Sequence, residues 1–250
     1  MTSRVYALAN QKGGVGKTTT AINMAACVAE AGTPVLLIDL DPQANATTGL
    51  GYRPDDLEGS SYDLLHGRAL DEVLVETDVD NLWLVPSHPD LAAAQVELSQ
   101  NDTLLRDLLA DTGERFPYVF VDCPPSLGLL TVNALSAANR LIVPVQCEYY
   151  ALEGLAQLLK SVELVRTRLN PRLGVTGVLL TMFDGRTRLS SDVATEVREH
   201  FGNLVFDTVV PRSVRLAEAP SHGVPITRYD SRSAGADAYY RVALEVVERG

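Results

Sequence analysis

Lysine is nearly missing from this chain. Of 250 residues only three are lysine, and two of those, Lys12 and Lys17, stand in one glycine loop. Cysteine is scarce as well. Cys27, Cys123 and Cys147 are far apart, odd in number and without a CxxC pair, which argues against a disulfide framework or a zinc site and leaves small buried thiols. The four histidines are equally scattered and carry no assigned chemistry. No apolar run approaches the roughly 20 residues that span a bilayer. The opening "MTSRVYALAN" has no extended apolar stretch of the secretory kind. Repeats, low-complexity tracts and interdomain linkers are also lacking. The expectation is a soluble, cytoplasmic protein, 46% hydrophobic, with residues 1–250 forming one domain.

Positive charge is short overall, with a net charge of −11, but it is unevenly placed. Residues 1–159 hold 8 basic and 21 acidic side chains, whereas 160–250 hold 13 basic and 11 acidic, all but one of those 13 being arginine. Overall acidity limits nonspecific attraction to nucleic acid without excluding a local basic patch. On the sequence alone, a solvated arginine-rich face explains the second half equally well.

What is present is a regular alternation. "RVYALAN", "TPVLLIDLD", "NLWLVPS", "YVFVDCPP", "RLIVPVQ", "GVTGVLLTMF" and "LVFDTVVP" read as strands, most with helical stretches between them. "TPVLLIDLD" is a continuous apolar run of the kind buried on both faces of a parallel sheet. The pattern predicts an α/β fold: a doubly wound, mostly parallel sheet of about seven to eight strands flanked by helices. Residues 51–80 read as an acidic helical surface excursion, and "GADAYYRVALEVVERG" as a helix packed back on the sheet.

The glycine loop "NQKGGVGKTTT" lies between the first strand and a helix from Thr18 to Ala31. Gly13, Gly14 and Gly16 let the backbone turn its N–H groups toward phosphate oxygens, with Val15 between them. The helix start adds its positive end to the same anion. Lys17 can reach the β- and γ-phosphates, and the Thr18 hydroxyl, followed by Thr19, is placed to ligate Mg²⁺. The strict phosphate-loop pattern wants glycine where this chain has Gln11, so the loop is a variant. Asp122, ending "YVFVD", would face the metal from a neighbouring strand. In "LLIDLDPQANATTG", Asp39 joins the metal side and Asp41 could orient or deprotonate the attacking water, unless both merely cap a turn.

Together "KGGVGKTTT", "DLDPQANAT", "VDCPPSLG" and "VPRSVRLAEAPSHGVPI" make the chain resemble the ParA/Soj partitioning branch of the deviant-Walker P-loop ATPases, from about residue 4 to 248. The last block is the most specific, because many families share the phosphate loop. The resemblance implies that Lys12 reaches across an ATP-dependent homodimer to the partner's phosphates, as an arginine finger does; the bland alternative is a solvated loop lysine. It implies that Asp41 governs hydrolysis, that a side chain at Gly13 crowds the dimer, and that Pro211 and Arg212 cover the adenine. It further implies nonspecific binding of double-stranded DNA through Arg186, Arg188, Arg212 and Arg215, with Arg198 and Arg232 adding to that side, and nucleoid association. A ParB-type centromere-binding protein would stimulate hydrolysis, its basic segment meeting the acidic N-terminal part. The runner-up is a MinD-like or other cargo-positioning ATPase without a DNA role. "YYRVALEVVERG", with two arginines, two glutamates and no lysine, argues against membrane attachment. An iron–sulfur scaffold relative would need paired cysteines.

Overall fold

The computed structural model describes residues 3–98, 101–110, 112–148 and 151–249. The strands are β1 (Arg4–Leu8), β2 (Val35–Asp39), β3 (Val75–Glu76), β4 (Leu82–Val85), β5 (Tyr118–Asp122), β6 (Arg140–Gln146) and β7 (Gly174–Thr181). They form one seven-stranded sheet in the order β3-β4-β2-β5-β1-β6-β7, parallel throughout except for β3. β1, the first strand, lies inside the sheet, and the chain leaves it in both directions. The crevice beyond its C-terminal end is therefore a topological switch point, where doubly wound sheets bind ligands.

Both faces of the sheet are covered, which is why its central strands read as unbroken apolar runs. Val5, Ala7, Leu36, Ile38, Val119, Val121, Leu141 and Val143 face one core, which Leu155 and Leu158 of the helix Ala151–Arg168 help to close. Tyr6, Leu8, Leu37, Phe120, Ile142 and Leu179 face the other. That second core is closed by helix α1 (Lys17–Glu30) and the C-terminal helix Ala234–Arg249, through Met24, Tyr239, Val242 and Val246.

Two sequence expectations need correction. "LVFDTVVP" is not a strand. It runs beside β7 with only isolated bridges, Val178 with Val205 and, just past the end of β7, Phe183 with Pro211, and the Phe206 and Val210 N–H groups donate to the Val178 and Leu180 carbonyls at 3.0 and 2.8 Å. Between them the Asp207 and Thr208 N–H groups turn away and donate to the Glu245 carboxylate, both at 2.9 Å. Its β-branched run serves the core rather than a ladder: fully buried Phe206 lies so close over Gly177 that a Cβ there would come within 2.5 Å of the ring. The excursion at 51–80 is only partly helical. It holds a 3₁₀ turn Pro54–Asp56, short helices Ser61–Leu65 and Leu70–Val73, and β3, an antiparallel edge too short to show alternation.

Candidate functional site

The loop after β1 is built by its glycines and by two side chains the motif does not advertise. Gly14 (φ 72°) and Gly16 (φ 86°) take left-handed backbone, which a Cβ would strain. Asn10 holds the loop's entry, its Oδ1 accepting from the Lys12 N–H at 3.0 Å while its Nδ2 donates to the Pro144 carbonyl at 2.7 Å. The Thr181 hydroxyl donates to the Val15 carbonyl at 2.8 Å and pins the loop to β7. Gly16 then caps α1 without any side chain across its amides, and no acidic residue occupies the first turn. The first-turn N–H groups therefore stay free for an anion.

Lys17 is 6% exposed, its ammonium 3.4 Å from the Lys12 carbonyl, with no carboxylate at ion-pair distance among the described residues. Burial lowers its pKa, against the pull of Asp122, Cys123 and Asp41. A buried ammonium without a counterion is a site for one. Lys12 behaves differently: its half-exposed Nζ rests 3.0 Å from Oε2 of Glu148. Gly13 has open space where a Cβ would go, so any crowding there must come from a second molecule.

Asp39 and Asp122 are register partners on β2 and β5, both fully buried. Burial, reinforced by Asp39, pushes the Asp122 carboxyl well above the usual range; Thr18 and Lys17 oppose the shift. Neither Asp122 oxygen has a hydrogen-bond partner. A fully buried carboxylate beside a second carboxylate, with the Thr18 hydroxyl close enough to lower its pKa, fits a divalent cation. Asp39 is pushed up to about 6, again mainly by burial, although donors from Thr47 and the Asp41 N–H hold it down. Asp41 is 6% exposed and lines the phosphate cavity, with one Oδ1 accepting from the Gln43 N–H at 3.0 Å.

That cavity, about 430 Å³, is walled by Gly13, Gly14, Lys17, Thr18, Asp41 and Pro125, together with Gln43, Asn45 and Thr48, which the motifs did not single out. A second cavity of about 370 Å³ adjoins it through Gly16, Thr19 and Met182. Its walls are mostly apolar: Val210, Pro211, Val214, Leu216, Ala217 and Tyr239, with Arg212 and Ser213 at the same segment. Pro211 and Arg212, expected to lie over the adenine, line this apolar cavity. Sequence reading missed Met182, a non-glycine at φ 51°, and Tyr239, whose hydroxyl pairs with Thr20 Oγ1 at 3.2 Å. The left-handed backbone at Met182 has no sequence signature.

All four arginines are exposed. The Phe183–Pro211 bridge brings the Asp184–Arg186 turn next to Arg212, close enough for Arg212 to act on the Asp184 carboxyl, while Arg188 opens the helix Arg188–Phe201 and Arg215 lies on the short helix Val214–Glu218. Three of them already have carboxylate partners: Arg186 is bidentate to Asp184 at 2.9 and 2.8 Å, which holds that carboxyl down to about 2, Arg188 lies 3.6 Å from Asp192, and Arg215 pairs with Glu218 at 3.1 Å. Arg198 donates to the Asp207 carbonyl nearby. Asp184, Glu218 and Asp230 dilute the patch, as the sequence tally of 13 basic to 11 acidic implies.

Comparison with known proteins matches this architecture. An AAA-domain family model covers residues 3–175. The chain is 56% identical over 246 residues to the chromosome-partitioning ATPase Soj of Thermus thermophilus, covering 98% of this chain and 96% of that protein. It is 50% identical to the sporulation initiation inhibitor protein Soj of Bacillus subtilis, covering 99% of each. Among solved structures, a Mycobacterium smegmatis protein titled cobyrinic acid a,c-diamide synthase, with bound ADP and magnesium, superposes with a TM-score of 0.85 at 39% identity, covering 96% of this chain and 92% of that one. With a family model over residues 3–175 and relatives at 50% identity or more that it covers almost end to end, the chain belongs to the AAA-domain family and, within it, to the Soj and ParA chromosome-partitioning ATPases.

Proposed function

We propose that this protein is a Mg²⁺-dependent ATPase, folded as a single domain over residues 1–250, that partitions DNA by switching between nucleotide states. The observation that carries the reading is the continuity of the two cavities. An ammonium and free helix amides line one, apolar walls line the other, and Gly16, Thr19 and Met182 join them as a nucleoside triphosphate requires. Magnesium, held by Thr18 and Asp122 with Asp39 adding charge, would neutralise the phosphate oxygens. Lys17 binds the β- and γ-phosphates, and Asp41 orients the attacking water.

Lys12 completes the site of a second protomer. Its ammonium is half-exposed and, among the described residues, pairs with the exposed Glu148, a contact weak enough to exchange for phosphate. ATP would therefore join two protomers and hydrolysis release them. Dimerisation doubles the arginine patch of Arg186, Arg188, Arg212 and Arg215, and so favours nonspecific double-stranded DNA and nucleoid association in the ATP state. A ParB-type centromere-binding protein, basic where this chain's first 159 residues are acidic, would stimulate release. Among the described residues no helix is long and apolar enough to cross a membrane. The C-terminal helix also buries Ala236, Tyr239, Val242 and Val246 against the sheet, leaving its main apolar face unavailable to lipid.

Fluorescence anisotropy on an unrelated duplex tests this. Asp41→Ala with Mg²⁺–ATP is expected to bind in a salt-sensitive way, Mg²⁺–ADP to abolish binding, and anionic liposomes to recruit nothing. DNA binding in neither nucleotide state would remove the DNA role. Liposome binding would put a MinD-like function in its place.

A further inference from the structure

Asp41 does not hold its own position. Its N–H donates to Asp39 Oδ1 at 3.1 Å. The other Asp39 oxygen accepts both the Thr47 N–H at 2.9 Å and the Thr47 hydroxyl at 2.8 Å. Thr47 Oγ1 in turn accepts from the Ser87 N–H at 2.9 Å, and the Ser87 hydroxyl donates to the Asp41 carbonyl at 2.7 Å. The bonds close a ring: Asp41, Asp39, Thr47, Ser87 and back to Asp41. Asp39, Thr47 and Ser87 are fully buried, and neither Thr47 nor Ser87 lines the phosphate cavity.

The three anchors come from separate elements: the end of β2, the short helix Asn45–Gly49, and the loop after β4. The segment they hold is not regular, for Ala44 sits at φ 52° and the chain reverses over four residues. Without the ring, little besides the Ala44 N–H to Asp41 carbonyl bond and the Gln43 N–H would fix the carboxylate that faces the cavity.

We infer that Thr47 and Ser87 are positioning residues for hydrolysis, setting where the Asp41 carboxylate stands without touching the nucleotide. The inference rests on the reading of Asp41 as the residue that orients water. Asp39 accordingly spends three of its acceptor sites on the loop rather than on the metal. A misplacement of about 1 Å at a reacting group is enough to cost roughly a hundredfold in rate, so a ring of this kind acts on the chemical step and leaves affinity alone.

The test uses Ser87→Ala, Thr47→Val, which removes the hydroxyl at constant shape, and Thr47→Ser, which keeps it. Each is made in the parent and in Asp41→Ala. Hydrolysis of radiolabelled ATP is followed over hours at saturating nucleotide, with affinity from titration of a fluorescent ADP analogue. Ser87→Ala and Thr47→Val are expected to slow hydrolysis by about 10- to 100-fold with affinity held within about threefold, and Thr47→Ser to recover most of the rate. In Asp41→Ala the same changes should add less than about twofold, because they act through the missing carboxylate. Equal loss in both backgrounds, affinity falling in step with rate, or failure of Thr47→Ser to restore the rate where Thr47→Val loses it would overturn the inference. If Ser87→Ala does not fold, the Thr47 pair decides alone. Parent-like rates for both variants beside a slow Asp41→Ala would sink the ring and spare Asp41; a parent-like Asp41→Ala would remove both.

Discussion

A buried carboxylate with no hydrogen-bond partner costs stability, and Asp122 is one. Its carboxyl titrates well above the ordinary range in the folded state, so the folded chain keeps a proton that the unfolded chain releases. Stability without nucleotide therefore falls as pH rises from the unfolded value through the folded one, and Asp39, pushed up to about 6, has the same sign. Asp122→Asn should raise the urea midpoint of the nucleotide-free protein at pH 7.5, by an amount on the order of 1 kcal/mol or more. The advantage should shrink as pH falls toward 5, while Mg²⁺-dependent hydrolysis is lost. An unchanged or lowered midpoint at pH 7.5 would mean that the carboxylate is compensated within the chain. Lys12→Ala belongs to the same scale. It should bind ATP and remain monomeric by light scattering, and a normal ATP-dependent dimer would refute its role in trans.

Elements differ in how much of them the sequence showed. The strands β1, β2, β4, β5, β6 and β7 were legible because a sheet covered on both faces turns each central strand into an apolar run. The loop Lys12–Thr19 was legible because its function needs consecutive residues. Most of the adjoining apolar cavity was not, since Met182, Val214 and Tyr239 join the expected Pro211 and Arg212 only through folding. "LVFDTVVP" misled because β-branched residues serve a core without a ladder, and here Phe206 fills the space that Gly177 leaves open. That packing gives the element-scale prediction. Gly177→Ala would press a methyl into the buried Phe206 ring and shift the segment leading to Pro211, with a loss of about 1–3 kcal/mol. Chemical denaturation measures it. A midpoint equal to the parent's would show that the ring moves aside freely and that the segment is not held from this side.

Over the whole molecule, charge opposes the proposed partner. At −11 net, the protein repels a polyanion at long range and must bind through its local patch. That patch carries its own competitors, because Asp184 grips Arg186 through two bonds and Glu218 grips Arg215. On the proposed function, DNA phosphate would have to displace or share those carboxylates, which would make a single protomer a poor binder and the second copy matter. Since each phosphate contact contributes about 0.9 to the slope of log affinity against log salt, losing one arginine from a two-protomer complex should reduce the slope by about 1.8. Arg186→Ala and Arg215→Ala are each expected to show that decrement in the ATP state, with ATP-dependent dimerisation intact. A reduction near 0.9 would mean that only one protomer meets the duplex. No change in slope would move the DNA surface away from these arginines, leaving their carboxylate pairs as simple surface ion pairs.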